Sequence, residues 1–203
     1  MENDYFYDFS NDLPLNTVAV SPDLYERALN LDLHGEESGR KIHNQLLFGD
    51  FVTKEYPSYI SFPVGFHQID GKVLREALGM LRIHSILISD NLLEILTDNQ
   101  ITGWRSYPVL VYDKKGNEIR GYNGFTVTGR GGEMRFLIDK KELSRVESTK
   151  QYIQWDKSQW DGSDFFWVKP MFLLATKKVR DVFKREKIKY LRLTPFSEYA
   201  TIV

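Results

Sequence analysis

The class this chain predicts is α+β, with a mixed or mostly antiparallel sheet, a β-hairpin region and a repeated strand-helix-strand unit. Three observations predict it. The first is a pattern that occurs twice, 87 positions apart and without a gap, at Ile86 to Val109 and at Leu173 to Phe196. Each copy reads as an apolar strand, a hydroxyl residue, a helix, and a second strand ending at proline. The second is a hairpin signal at Asp113-Lys114-Lys115-Gly116. The third is that helical and strand patterns are intermixed along the chain with no linker rich in Pro, Ser or Gly, which is the pattern of a mixed architecture rather than of a bundle or a sandwich.

In chain order, Thr17 to Val20 is a short apolar strand. Ser21, Pro22 and Asp23 behind it suit an N-cap, a first helical position and a first-turn acid, so a helix through Leu24, Ala28 and Leu31 is expected. His34 to Gly39 is polar and reads as a loop. Phe51 to Phe66 mixes aromatics with prolines and glycine, which argues for irregular strands. Val73, Leu74, Ala77, Leu78 and Leu81 have helical spacing, so a helix is expected from Asp70.

In the first copy of the repeated pattern, Ile86-Leu87-Ile88 leads to Ser89, then to Leu92, Ile95 and Leu96 at helical spacing, then to Trp104, Arg105 and Pro108. Val109 to Tyr112 follows as a strand. Asp113 to Gly116 fits a type I turn plus bulge, with glycine accepting positive φ. Phe125 to Thr128 and Met134 to Ile138 supply two strands, separated by Gly129-Arg130-Gly131-Gly132, which reads as a tight loop. Lys140 to Ser148 is a charged connection. Asp161-Gly162 turns the chain into a buried strand at Phe165 to Val168. The second copy reads Leu173-Leu174-Ala175, Thr176, then Val179, Val182, Phe183, Ile188, Leu191, Arg192 and Pro195. Only four positions are identical, so the match lies in pattern more than in letters, and any strand, N-cap and helix share such a pattern. The chain reads as one domain over 1–203, with the first copy and the hairpin in 1–140 and the second copy in 150–203.

At 203 residues and 42% apolar, the chain can bury a substantial core, which excludes a disordered or fibrous class. It has no cysteine, which removes disulfides, zinc-thiolate sites and thiol nucleophiles and fits a reducing compartment. The acidic start, Glu2 and Asp4, lacks the basic and apolar regions of a signal peptide. No apolar run approaches the ~20 residues of a membrane span, so a cytoplasmic protein without a membrane partner is expected.

Net charge is only -1, yet it is unevenly spread. Residues 1–12 hold four acids and no cation, whereas 169–192 hold nine cations against Asp181 and Glu186. That basic stretch is a candidate face for an acidic partner or nucleic acid, or simply a solvated helix face. The balanced overall charge argues against nucleic acid. No catalytic constellation is expected: His34, His43, His67 and His84 fall in no ligand spacing, so no metal site follows. Gly129 to Gly132 lacks the order of a phosphate loop, and there is no nucleophile elbow. No cofactor is implied. The most unusual local composition is Trp155 to Trp167, where Trp155, Trp160, Asp161 and Asp164 suggest an acidic aromatic surface that anchors a protein partner, or a turn into a core strand.

The residues Thr102-Gly103-Trp104, Tyr107-Pro108-Val109, Asp113 to Ile119, Gly121-Tyr122, Gly124 and Val127 to Arg130 resemble a bacterial family of immunity proteins of polymorphic-toxin systems. Trp160 to Phe165, followed by Leu174 to Pro195, is similar to that family's closing motif. The resemblance covers roughly residues 86–196. It treats Gly103, Trp104, Pro108, Gly116, Gly121, Gly129 and Gly162 as structural, and it is specific for fold rather than mechanism. It implies a non-enzymatic protein that binds and neutralises a cognate toxin domain. The surfaces it offers are Trp155, Trp160, Asp161 and Asp164, with Lys177, Lys178 and Arg180 of the basic helix as the second. Another kind of protein-binding module, a small enzyme and a nucleic-acid binder are the alternatives.

Overall fold

Short runs of β-branched and aromatic residues with alternating burial make this a sheet-rich α+β protein with two mixed sheets. The computed structural model describes residues 5–11, 14–22, 63–80, 83–170 and 172–203. In chain order the strands begin with β1 (Phe6–Asn11), β2 (Ala19–Pro22), β3 (Val64–Asp70), β4 (Ala77–Met80) and β5 (Ile83–Ser89). Helix α1 (Asp90–Asp98) leads to β6 (Trp104–Tyr107), β7 (Val109–Tyr112), β8 (Glu118–Ile119), β9 (Tyr122–Val127) and β10 (Gly129–Phe136). The short α2 (Lys140–Leu143) precedes β11 (Ile153–Trp155), β12 (Phe165–Lys169) and β13 (Phe172–Thr176). Helix α3 (Lys177–Arg185), β14 (Leu191–Pro195) and β15 (Thr201–Ile202) follow. Among the described residues no helix is long and apolar enough to cross a membrane.

The chain divides into two units. One holds β2 to β9 with α1, in the strand order β6-β9-β5-β4-β2-β3-β7-β8. Its core gathers Val18, Val20, Val64, Phe66, Leu78, Leu87, Tyr107 and Val111. Pro108 alone separates β6, at one edge of the order, from β7, near the other. A chain that crosses from edge to edge in one residue requires the sheet to curl, and the curl wraps it around that core. Helix α1 buries Leu92 and Leu96, and Ser89 caps it by accepting from the Leu92 amide at 3.1 Å. The hairpin turn forms as its residues dictate. The Gly116 amide donates to the Asp113 carbonyl at 3.0 Å, the Asp113 carboxylate accepts from the Lys115 and Asn117 amides, and Gly116 sits at φ +83.

The other unit gathers β1, Ile101–Gly103 and Gly129–Val203 in the order β14-β1-β13-β12-β10-β11-β15. Phe6, Met134, Ile153, Trp155, Phe166, Val168, Leu174, Phe196 and Ala200 form its core. Phe6 meets Trp155, Trp160 and Phe166 edge-on at 5.0 to 5.7 Å, the geometry that aromatic quadrupoles favour. Phe9 and Phe165 carry the opposite parity and meet Phe183 of α3.

Four expectations need correction. The division at 1–140 and 150–203 does not follow the units, because β1 and residues 101–103 pack with the later strands. Residues 70–80 form no helix. The Asn16 carbonyl takes the Lys72 and Val73 amides, and Ala77 to Met80 pairs with β5, so sheet pairing wins over helical spacing. Ser21 and Pro22 do not start a helix there; they pair with His67 and Phe66 as β2. Gly129 to Gly132 is strand rather than loop, because β10 runs beside β12, with the Phe165 carbonyl, Phe166 and Val168 pressed against its glycines. The helix through Leu24 to Leu31, the loop at 34–39 and residues 51–62 lie outside the described residues.

Candidate protein-binding surface

Helix α3 positions the charges that the sequence singled out. Val179, Val182 and Phe183 are buried, so its apolar side is consumed by the sheet and the remaining side is polar. The helix ends where the Ile188 amide donates to the Phe183 carbonyl and Lys187 adopts φ +56. Lys184 and Arg185 in the last turn complement the helix dipole.

The polar side is partly self-satisfied. Lys177 donates to Asp181 at 2.5 Å, and Arg180 donates to the same carboxylate at 3.0 and 3.2 Å. Those hydrogen bonds, from Lys177 and then Arg180, hold the Asp181 carboxyl below its usual range. Arg180 also lies over the Tyr7 ring, 4.9 Å from its centre, and donates to the Tyr7 hydroxyl. Lys178 reaches Asp164 at 3.0 Å. Asp181 is the only acid in α3. Among the described residues, exposed Lys184, Lys187 and Lys189 have no paired anion. Counting charges over 169–192 included these three; Lys187 and Lys189 lie beyond the end of α3, where the one neighbouring acid, Glu186, is taken by Arg185 at 2.9 Å.

The Trp-Asp segment is mostly structural. Trp155 has no exposed surface, and its indole N–H donates to the Gly131 carbonyl at 2.6 Å, so it cannot anchor a partner. Asp164 is also buried. Its carboxylate accepts from the Thr102 amide at 3.0 Å and from the hydroxyls of Thr102 and Thr176, in addition to Lys178, which fixes the Ile101–Gly103 segment against α3. Both residues are therefore corrected from partner anchors to framework. Half-buried Trp160 leans on Phe6 and Phe166 and donates to the Ser163 carbonyl. Asp161 is exposed, yet both of its oxygens are engaged, by the Arg130 amide at 2.7 Å and the Ser163 amide at 2.9 Å.

The motif residues hold the framework. Gly103 at φ +80 lies so close to β12 that an added Cβ would stand 2.0 Å from the Phe165 carbonyl oxygen, and Gly129 is pressed against the same oxygen. Trp104 stacks on Phe125 at 5.7 Å. The Gly121 carbonyl accepts from the first amide of α1, and Gly162 closes the turn before β12. Pro108 marks the edge-to-edge corner. Among the described residues, no three His, Asp or Glu side chains gather as a metal site. No protein-family model matches the chain, and no curated protein matches it either.

Proposed function

We propose that this protein is a non-enzymatic immunity protein, acting in the cytoplasm, that binds and neutralises a cognate toxin domain through the polar side of α3 and the residues that follow it. The observation that carries the surface is the exposed, unpaired trio Lys184, Lys187 and Lys189, standing beyond a helix whose apolar side is already used. The motif resemblance over 86–196 carries the class. The strand-helix-strand pattern at 86–109 and 173–196 belongs to the same reading as one unit used twice. The partner is an acidic protein surface. A standard interface covers ~800 Å² on each side, wider than α3, so neighbouring β14 and the turn at Asp161 fall within its reach. Cationic rims act mainly on association rate and salt dependence.

The test is co-expression and co-purification with the C-terminal toxin domain encoded next to this gene. Growth rescue with a stable complex is expected. Toxicity that persists on co-expression, with no complex, would overturn the reading.

A further inference from the structure

We infer that the two sheets are copies of one unit, and that β1 is a donor strand for the second copy, held in a strand-accepting groove between β13 and β14. The two orders β6-β9-β5-β4-β2-β3-β7 and β14-β1-β13-β12-β10-β11-β15 run through the same relations. Each has three antiparallel pairs, then a parallel, an antiparallel and a parallel pair. The strands flanking each helix lie on either side of one antiparallel strand, which is β9 in one copy and β1 in the other. β8 is a hairpin addition at the edge of the first.

The match holds residue by residue. Ser89 faces Tyr122 as Thr176 faces Phe6, and Arg105 faces Thr126 as Arg192 faces Ser10. Laying 86–108 on 173–195 therefore lays β9 on β1 without a gap. Local anchors coincide too. The Ser89 amide donates to the Glu76 carbonyl at 2.8 Å, and the Thr176 amide donates to the Asp164 carbonyl at 2.9 Å. Both hydroxyls donate to the side-chain carboxylates of those same two residues. The first helical amides, of Asp90 and Lys177, each donate at 2.9 Å to the residue before the middle strand, Gly121 and Tyr5.

Side-chain bulk is exchanged between equivalent places. The buried pair Ala77 and Ile88 in one copy corresponds to Phe165 and Ala175 in the other, with the large member on the opposite strand. Gly124 lies under the Tyr107 ring, where a Cβ would stand 2.1 Å from it; the equivalent pair is Asp8 and Thr194, where the smaller Thr194 leaves room for a side chain. Volume-conserving swaps of this kind are what packing tolerates as two copies diverge. In the first copy the middle strand follows β7 through residues 113–121, whereas in the second it comes from residues preceding the first copy. In sequence β1 is joined to β2 by residues 12–18 and lies far from β13 and β14, so its pairing is a binding event between separate stretches of chain, a β-augmentation within one molecule.

The test inserts a protease site at residues 12–13 of the full chain and cuts the folded protein. A labelled peptide of residues 5–12 is then offered in excess, with Ser10→Cys in the peptide and Arg192→Cys in the protein. The chain has no other cysteine, so a disulfide reports entry in register. Expected are exchange of the labelled peptide into the cut protein, disulfide capture, and capture lowered at least about tenfold by Phe6→Asp and Phe9→Asp in the peptide. If cutting unfolds the second unit, restoration by the peptide supports the groove equally, and failure to restore overturns it. A released fragment that leaves melting and near-ultraviolet circular dichroism unchanged also overturns it. A peptide of residues 121–128 tests the copies separately: competition above that of a scrambled peptide supports them, and competition equal to it overturns them.

Discussion

Asp8→Asn should stabilise this protein at neutral pH and remove one component of its pH dependence. Asp8 sits in the middle of β1, flanked by Leu174 on β13 and Thr194 on β14, beside the Arg192 guanidinium. Burial pushes its carboxyl up to about 6, and Arg192 offsets only part of this. The folded state therefore holds a proton that the unfolded chain has released between about pH 4 and 6. Because the folded pKa is the raised one, stability falls as pH rises through that window and stays on the lower plateau above it. A shift of about two units corresponds to ~3 kcal/mol by linkage, and partial solvent access reduces this to about 1.5–2 kcal/mol. The assay is urea denaturation of both proteins at pH 4.5, 5.5, 6.5 and 7.5, where groups common to both cancel in the difference. The variant should gain about 1 kcal/mol on the parent between pH 4.5 and 7.5, because the unfolded carboxyl has already released most of its proton at the acid end, or about 2–4 °C in melting temperature. A difference that does not change with pH, or a variant that loses stability against the parent as pH rises, would refute the argument.

Gly103→Ala and Gly116→Ala share a positive φ but differ in space: the first Cβ would meet the Phe165 carbonyl at 2.0 Å, and the second would meet nothing within 4 Å. Thermal melts should show a loss of about 3 kcal/mol or more for Gly103→Ala and about 1 kcal/mol for Gly116→Ala. Trp155→Ala should cost about 3–5 kcal/mol, through cavity formation and the orphaned Gly131 carbonyl, and equal stability of variant and parent in urea would disprove its place in the core. Asp164→Ala should lose about 2–4 kcal/mol by stranding the Thr102 amide and the Thr176 hydroxyl, read by the same titration. Reversal of Lys184, Lys187 and Lys189 to Glu should leave melting within about 2 °C of the parent while slowing toxin association at least about tenfold at low salt, measured by surface plasmon resonance. Unchanged association kinetics would remove the end of α3 and the residues that follow it from the interface.

Several elements were decided within a few residues of themselves. Helix α1 follows from its Ser89 cap and the 3.6-residue spacing of Leu92 and Leu96, and α3 from the same spacing of Val179 and Phe183, since the Thr176 hydroxyl is spent on Asp164 rather than on a cap. The turn at Asp113 to Gly116 follows from a carboxylate that satisfies local amides and a glycine that accepts positive φ. The apolar run Phe165 to Val168 implied a buried strand because four consecutive large residues need both faces covered.

What only the tertiary structure decided depends on neighbours distant in sequence. The spacing of Val73, Leu74, Ala77 and Leu78 satisfies a helix, and the Asn16 carbonyl and the edge of β5 made it strand. The glycines at 129–132 read as a loop because their cause, the Phe165 carbonyl and the Phe166 and Val168 side chains, stands on another strand. Trp155 and Trp160 look alike in sequence, yet one is enclosed beside the Gly131 carbonyl and the other reaches the surface. The same limit governs the candidate surface: the sequence contained every cation from Lys177 to Lys189, but that Lys178 and Arg180 are engaged depended on Asp164 and Tyr7, brought there by β12 and β1. Local propensity is written in adjacent residues, whereas strand order, close approach and charge pairing are properties of chain segments that meet only on folding.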